Sequence, residues 1–301
     1  MGIQGIVLAK TGGLYRVSCD GRIVEANLRG RLRQSGRERV LVGDRVVVTE
    51  HDDGGATVEE VEPRSSVLKR RTPGGHRGVR HVAANVDQVV VVGATRRPAW
   101  NAHTMDRFTA VAEANGLAVT LVVNKCDLCD RSDVLALPYR TAGYRVVLTS
   151  VPNREGLDEL ASYLDGCISL LTGPTGVGKS SLLNAMQPGL KLRTSEVSEK
   201  SGGGRHTTVA AEMYPFGPSG FVVDTPGLRD IGLWGLEPLE VAAAFPELEK
   251  FETDCRFDNC RHLEEPGCAV ARAAQNGQMA ASRLASYRRL LDEAVAAARD
   301  W

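Results

Sequence analysis

From Gly5 to Val61 the chain runs in short alternating stretches, GIVLAK, LYRVS, RIVEAN, VGDRVVVTE and ATVEEV, divided by Thr-Gly-Gly, Asp-Gly and Asp-Asp-Gly-Gly. β-Branched runs of this length between turn residues predict half-buried antiparallel strands, and five of them predict a small barrel of the OB type. From about Val86 the pattern changes. Near-continuous apolar runs (VDQVVVVGA, AVTLVVNKCDL, YRVVLTS, CISLLT) alternate with amphipathic ones (MDRFTAVAEANG, REGLDELASYL). That pattern predicts a parallel α/β sheet. Beyond Leu236 come a helix candidate containing FPELEKF and an Ala/Arg-rich helical tail from Ala269 to Trp301.

Charge adds a local feature to this picture. The 37 Lys and Arg balance the 37 Asp and Glu, yet residues 1–80 hold 15 basic against 10 acidic side chains. Arg64 to Arg80 carries six basic residues and no acidic one, and LRGRLRQSGRER (residues 28–39) is a second basic segment. Such stretches suit either solvated linkers and turns or contact with nucleic-acid phosphates. No basic-then-apolar leader is present, and no apolar run approaches the roughly 18 residues of a membrane helix, so a cytoplasmic protein without a membrane partner is expected. Seven cysteines, an odd number, fit a reduced compartment better than a disulfide framework. Cys19 and Cys167 lie in strand-like runs and are expected to be buried apolar thiols.

The strongest chemical signal is GPTGVGKS, Gly173 to Ser180, which follows the apolar run CISLLT and opens SSLLNAM. Strand, glycine-rich turn and helix are the context that a phosphate-binding loop requires. Its backbone N–H groups can cradle phosphate oxygens at the positive end of a helix. The nucleotide is expected against Gly173, Pro174, Thr175, Gly176, Val177, Gly178, Lys179, Ser180 and Ser181, with Lys179 reaching the β- and γ-phosphates and Ser180 ligating Mg²⁺. A second signal, Asn124-Lys125-Cys126-Asp127, ends the run AVTLVV. A carboxylate at Asp127 can accept both the N1–H and N2–H donors of guanine, an edge that adenine lacks. Asn124 and the stem of Lys125 would orient that loop and cover the ring. Cys126 and Cys129 also spell C-x-x-C, but Cys126 falls on the free position of N-K-x-D and no second pair lies nearby, which disfavours a redox or zinc role.

Asp224-Thr225-Pro226-Gly227, after the strand-like FVV, gives a third signal. Asp224 can hold Mg²⁺ through water and the Gly227 N–H can bond a γ-phosphate. Between the phosphate loop and this motif lies SEVSEKSGGGRHTTVAA, where Thr207 or Thr208 could supply a second hydroxyl to the metal. In a Ras-like domain the phosphate loop precedes the base motif. Here N-K-x-D comes first, then Thr149-Ser150-Val151 with Ser150 as the base-loop serine, then the phosphate loop, the switch and D-x-x-G. Each motif keeps its strand or helix neighbour, so the order predicts a circularly permuted α/β P-loop GTPase domain using GTP/GDP and Mg²⁺. Further on, Cys255-x4-Cys260-x-His262-x5-Cys268 offers three thiolates and an imidazole, the closed ligand set of one structural Zn²⁺.

Permuted order, OB-like start, GRHTTV and the Cys₃His tail together resemble the ribosome small-subunit-dependent GTPase A family of bacterial assembly factors, over nearly the whole chain. The resemblance implies an OB domain, a permuted GTPase and a mainly α-helical zinc-binding domain, here expected at 1–68, 86–236 and 237–301 with a basic linker at 69–85. It also implies the 30S subunit and its 16S rRNA as partners, a late role in maturation of that subunit, and hydrolysis stimulated by it; a monomer is expected. Its motifs map onto Gly173 to Ser180, Asn124 to Asp127, Asp224 to Gly227 and the four zinc ligands. Val209 departs from the third threonine often found in the family and leaves Thr207 and Thr208 as alternatives. Leu228 stands where Ras-like proteins carry a water-positioning glutamine, which makes His206 the candidate for that task, against a role in packing or capping the loop. The catalytic set expected is thus Lys179, His206, Asp224 and Gly227. A metabolic P-loop kinase is disfavoured by the base motif, and an RNA-binding module with a vestigial site by the filled motif positions.

Overall fold

The computed structural model describes residues 2–30, 32, 40–52, 54–70, 80–190, 211–224 and 236–299, without the side chains of Arg70, Arg80, Asp224 and Arg299. Two compact units divide the chain: Met1–Asp87, Tyr163–Leu170 and Glu199–Arg229 in the first, and Gln88–Ser162, Leu171–Ser198 and Asp230–Trp301 in the second.

In the first unit the five expected strands form a closed barrel: β1 (Ile3–Thr11), β2 (Leu14–Cys19), β3 (Arg22–Leu28), β4 (Arg45–Glu50) and β5 (Ala56–Val61), in the order β1-β2-β3-β5-β4. Gly12-Gly13 and Asp20-Gly21 close the first two hairpins with positive φ at both positions, the conformation that two-residue hairpin turns demand. Val7, Val17, Val46, Val48 and Val58 fill the interior with Tyr15 and Cys19. Cys19 is thus the buried thiol expected, whereas Cys167 is only half-buried. Asp44, fully buried, accepts Nε and Nη2 of Arg64 at 2.7 and 2.9 Å and the Leu41 N–H at 2.7 Å, which ties the chain leaving the barrel to its wall. The stretch 69–85 is not all irregular: β6 (Val67–Arg70) pairs antiparallel with β7 (Arg80–Ala84). The unit also holds β11 (Ile168–Thr172) up to Leu170, parallel to β13 (Gly220–Asp224), itself antiparallel to β12 (Glu212–Phe216).

In the second unit β8 (Gln88–Ala94), β9 (Ala118–Asn124) and β10 (Arg145–Thr149) are parallel, with Ala94, Asn124 and Thr149 in register at their C-terminal ends. Every residue of β8 is buried, as a strand covered on both faces should be. Helices α1 (Ala102–Ala114), α2 (Ser132–Ala142) and α3 (Leu157–Leu164) connect these strands and lead to β11, whose last residues, Leu171 and Thr172, precede α4 (Lys179–Met186). The C-terminal part holds α5 (Pro238–Ala243), α6 (Glu249–Glu252), α7 (Ala269–Gln275) and α8 (Ala281–Arg299). Phe245, Leu248, Val270, Leu284, Tyr287 and Leu291 form its core, with Phe245 and Tyr287 edge to face at 5.6 Å. The single helical tail expected from Ala269 is therefore two helices, divided where Asn276 caps α7 and Gly277 turns to φ +73°.

Candidate nucleotide site and metal centre

Parallel strands place their C-terminal ends on one edge of a sheet, and the loops that leave this edge carry the base and phosphate motifs. Asn124 ends β9, Ser150 follows β10 and Gly173 follows β11. Gly173 has φ +138°, and a side chain there would run into the carbonyl of Val92 on β8. Gly178 has φ +100°, and a Cβ would stand 2.5 Å from Asn124 Nδ2. That close approach lets Asn124 Nδ2 donate to Val177 O at 2.8 Å, while Thr149 Oγ1 donates to Asn124 Oδ1 at 3.0 Å. Asn124, 2 % exposed, thus has both ends of its amide occupied and joins the base loop to the phosphate loop. Lys125 Nζ adds a bond to Gly176 O at 2.7 Å and another to Arg97 O. Asp127 stands in a 3-10 turn, Cys126–Leu128, and accepts the Ser150 hydroxyl at 2.7 Å, which fixes one carboxylate oxygen. Lys179 Nζ lies across its own loop, bonded to Gly173 O and Pro174 O at 2.7 and 2.9 Å.

The structure therefore brings together Asn124, Lys125, Asp127, Ser150 and the run Gly173–Ser181. Thr175 and Gly176 are exposed at the mouth of the loop, and Ser180 and Ser181 are half-buried at the start of α4. Asp224 closes β13, while His206, Thr207, Thr208 and Gly227 lie outside the described residues. Chemically, the arrangement can hold an anion on backbone N–H groups beside an ammonium and present a carboxylate to paired donors on a base. Cys126 Sγ donates to Val123 O at 3.1 Å, and burial raises its pKa, so it packs as a thiol within the turn. Thr149 belongs to the site beside Ser150, though its amide contact carries no signal in the sequence.

The second centre collects Cys255, Cys260, His262 and Cys268, with one ligand atom from each and all four within 4.8 Å of one another. His262 Nδ1 is 3.6 Å from Cys255 Sγ and 3.5 Å from Cys268 Sγ. A tetrahedral zinc with its usual S and N bond lengths separates such atoms by about 3.6 Å, so the donor set fits that ion. His262, buried and with φ +57°, is held by Arg288 Nε on its carbonyl at 2.8 Å. Burial lowers the His262 pKa, keeping the imidazole neutral as ligation requires. Glu265 accepts the Arg261 and Leu263 N–H groups at 2.9 and 2.8 Å, and their hydrogen bonds outweigh the cost of its burial and hold its carboxyl low. Burial first, with the Cys268 and Cys255 thiols adding to it, pushes the Cys260 thiol up to about 12 without a cation. Backbone N–H groups of Ala269 and Ala271 point at Cys255 Sγ and Cys268 Sγ at 3.3 and 3.4 Å, favouring negative sulfur.

Residues 61–234 match the model of the RsgA GTPase family, and residues 4–58 match that of the RsgA N-terminal domain. The chain belongs to the RsgA GTPase family. It is a GTP-hydrolysing enzyme built from an OB-type barrel, a circularly permuted GTPase domain and a C-terminal helical part with a Cys/His cluster suited to zinc. A relative from Gemmatimonas aurantiaca, called small ribosomal subunit biogenesis GTPase RsgA, is 45 % identical over 296 residues and 96 % of each chain. The crystal structure of YjeQ from Thermotoga maritima superposes with a TM-score of 0.82 at 34 % identity, covering 98 % of this chain and 99 % of that one. YloQ, described as a circularly permuted GTPase, gives 0.76 at 28 % identity over 98 % and 95 %.

Proposed function

We propose that this GTPase acts as a late assembly or maturation factor of the 30S ribosomal subunit and that the subunit stimulates its hydrolysis. The observation that carries this is full-length similarity to relatives named for small-subunit biogenesis, joined to a nucleotide site whose base and phosphate loops are locked together through Asn124. In this reading Asp127 selects guanine, Asn124, Lys125 and Ser150 hold the base loop, and the run Gly173–Ser181 takes the phosphates. Lys179 neutralises developing charge, Ser180 with Thr207 or Thr208 ligates Mg²⁺, Asp224 and Gly227 sense the γ-phosphate, and His206 positions the attacking water. One structural Zn²⁺ held by Cys255, Cys260, His262 and Cys268 organises residues 237–301. The barrel, within 1–68, and the basic stretch 69–85 are the surfaces offered to 16S rRNA, the permuted domain spans 86–236, and the protein works as a cytoplasmic monomer. Among the described residues no helix is long and apolar enough to cross a membrane.

The experiment is phosphate release at saturating GTP with and without purified 30S subunits, using Lys179→Ala as the inactive control. Turnover that rises at least tenfold with subunits is expected. Equal rates would remove the ribosome from the reading while leaving the GTPase.

A further inference from the structure

Lys125 is a non-glycine residue in left-handed backbone, φ +61° and ψ 41°, so something must hold it there. Part of the hold comes from Thr95, the residue that follows β8. The Thr95 N–H donates to Asn124 O at 3.0 Å, and Thr95 Oγ1 donates to Lys125 O at 2.6 Å. The same Lys125 carbonyl accepts the Leu128 N–H at 3.0 Å, the bond that closes the 3-10 turn bearing Asp127. One side chain, 7 % exposed, therefore fixes the carbonyl from which the base-selecting turn starts. Two residues on, the Arg97 carbonyl accepts from Lys125 Nζ, and Arg97 also has a positive φ, +52°. The far end of this turn is anchored by Trp100, which packs on Gly93, where a Cβ would run into its ring, and meets Tyr139 edge to face at 5.9 Å.

We infer that Thr95 is a positioning residue for guanine recognition, with its hydroxyl and amide bracing the backbone on which Lys125 and Asp127 stand. This rests on the reading of that loop as the guanine site. Thr95 acts through the Lys125 and Asn124 carbonyls and so sets the angle at which the Asp127 carboxylate meets the base. Guanine presents two donors to that carboxylate and hypoxanthine only one, because hypoxanthine lacks the exocyclic amine. A tilted Asp127 therefore costs a guanine nucleotide more than its inosine counterpart.

The test compares the wild type with Thr95→Val, which keeps shape and removes the hydroxyl, and Thr95→Ser, which keeps the hydroxyl. Dissociation constants for GDP and IDP are measured together with KM and kcat for GTP. Thr95→Val is expected to weaken GDP by about three- to tenfold, the size of one neutral hydrogen bond. IDP should weaken less, narrowing the GDP/IDP ratio, while KM rises and kcat stays, the pattern of a lost uniform binding contribution. Thr95→Ser should restore the ratio. Wild-type GDP affinity in Thr95→Val, an equal loss for both nucleotides, or a loss that Thr95→Ser does not restore would each overturn the proposal. Should Thr95→Val not fold, Thr95→Ala carries the same expectation. Asp127→Asn is measured in parallel: retained guanine preference there overturns the site reading itself, whereas its loss beside an unaffected Thr95→Val overturns the brace alone.

Discussion

Arg283 and Asp106 stand 177 residues apart in the chain and 2.7 Å apart in the fold, each side chain 1 % exposed. Glu247 takes Nε and Nη2 of the same guanidinium at 2.6 and 3.2 Å, and the ring of Phe245 lies 4.5 Å from it. Burial by itself would favour the neutral form, but Asp106 and then Glu247 outweigh it and keep Arg283 charged. A buried ion group of this kind is a weak net stabiliser when whole and expensive when broken. Arg283→Ala, which strands two buried carboxylates, should cost about 3–5 kcal/mol in urea unfolding, whereas the triple replacement Arg283→Met, Asp106→Leu, Glu247→Met should cost clearly less. A cost below that of an ordinary surface change would show that the group carries no such energy.

Nearby, His103 Nε2 donates to the Glu293 carboxylate at 3.2 Å, an acid that it shares with Arg107 and Arg289. Burial first, then the charges of Arg289 and Arg107, hold its pKa below the ordinary histidine value. The unfolded chain therefore binds this proton more readily than the fold does. Stability is complete above about pH 6.5 and falls as pH drops from there toward the folded pKa. His103→Gln, which cannot charge, should flatten that part of the pH–stability curve relative to wild type. Identical slopes between pH 5 and 7 would remove His103 from the acid response.

Base selection gives a test with a change of ligand. Asp127 keeps one oxygen on Ser150, so exchanging the other side of the carboxylate for an amide should replace an acceptor by a donor. Asp127→Asn is expected to lose GDP affinity at least tenfold and to gain xanthosine diphosphate, whose base carries a carbonyl where guanine has an amine. Unaltered GDP binding by the variant, followed with a fluorescent analogue, would be incompatible with the assignment.

For the metal centre, elemental analysis of freshly purified protein should find one zinc per chain. Cys255→Ser or Cys268→Ser should lose it and unfold the helical core around Phe245 and Tyr287 at lower denaturant, because zinc binding and folding of such a site are one event. GTP binding should persist, since the base and phosphate loops are held by Thr149, Asn124 and Val177 rather than by the thiolates. Zinc-free wild-type protein with an intact C-terminal core would refute the structural role.

How much of this was legible in the sequence depends on the range of the interaction. The phosphate loop, base motif and Cys₃His spacing are local, and each carries its strand or helix context with it. The barrel was legible because its turns, Gly12-Gly13 and Asp20-Gly21, are written in residues that tolerate positive φ. Helix α2 was not, because Pro138 interrupts its pattern, although the helix runs on past it to Ala142 without the bond that the missing Pro138 N–H would make. Arg283 lies in an Arg-rich amphipathic tail and has no mark of burial: only the fold brings it to Asp106, Glu247 and three aromatic rings. Thr95 is a residue beside a strand end, and its carbonyl partner lies 30 positions away.

The distance between Asp106 and Arg283 along the chain also sets a timetable. Proteins are made from residue 1 onward, so the segments of helix α1 and strands β8, β9 and β10 are synthesised before the cation that Asp106 faces. Until residue 283 has been synthesised, Asp106 lacks its Arg283 partner, and burying its carboxylate as in the complete fold would leave a charge without that partner. Helix α8 thus supplies the cation that offsets the cost of burying Asp106 and Glu247, as well as being a structure in its own right. A nascent chain halted before α8 would carry all of its base and phosphate motifs and still lack the group that lets Asp106 be buried.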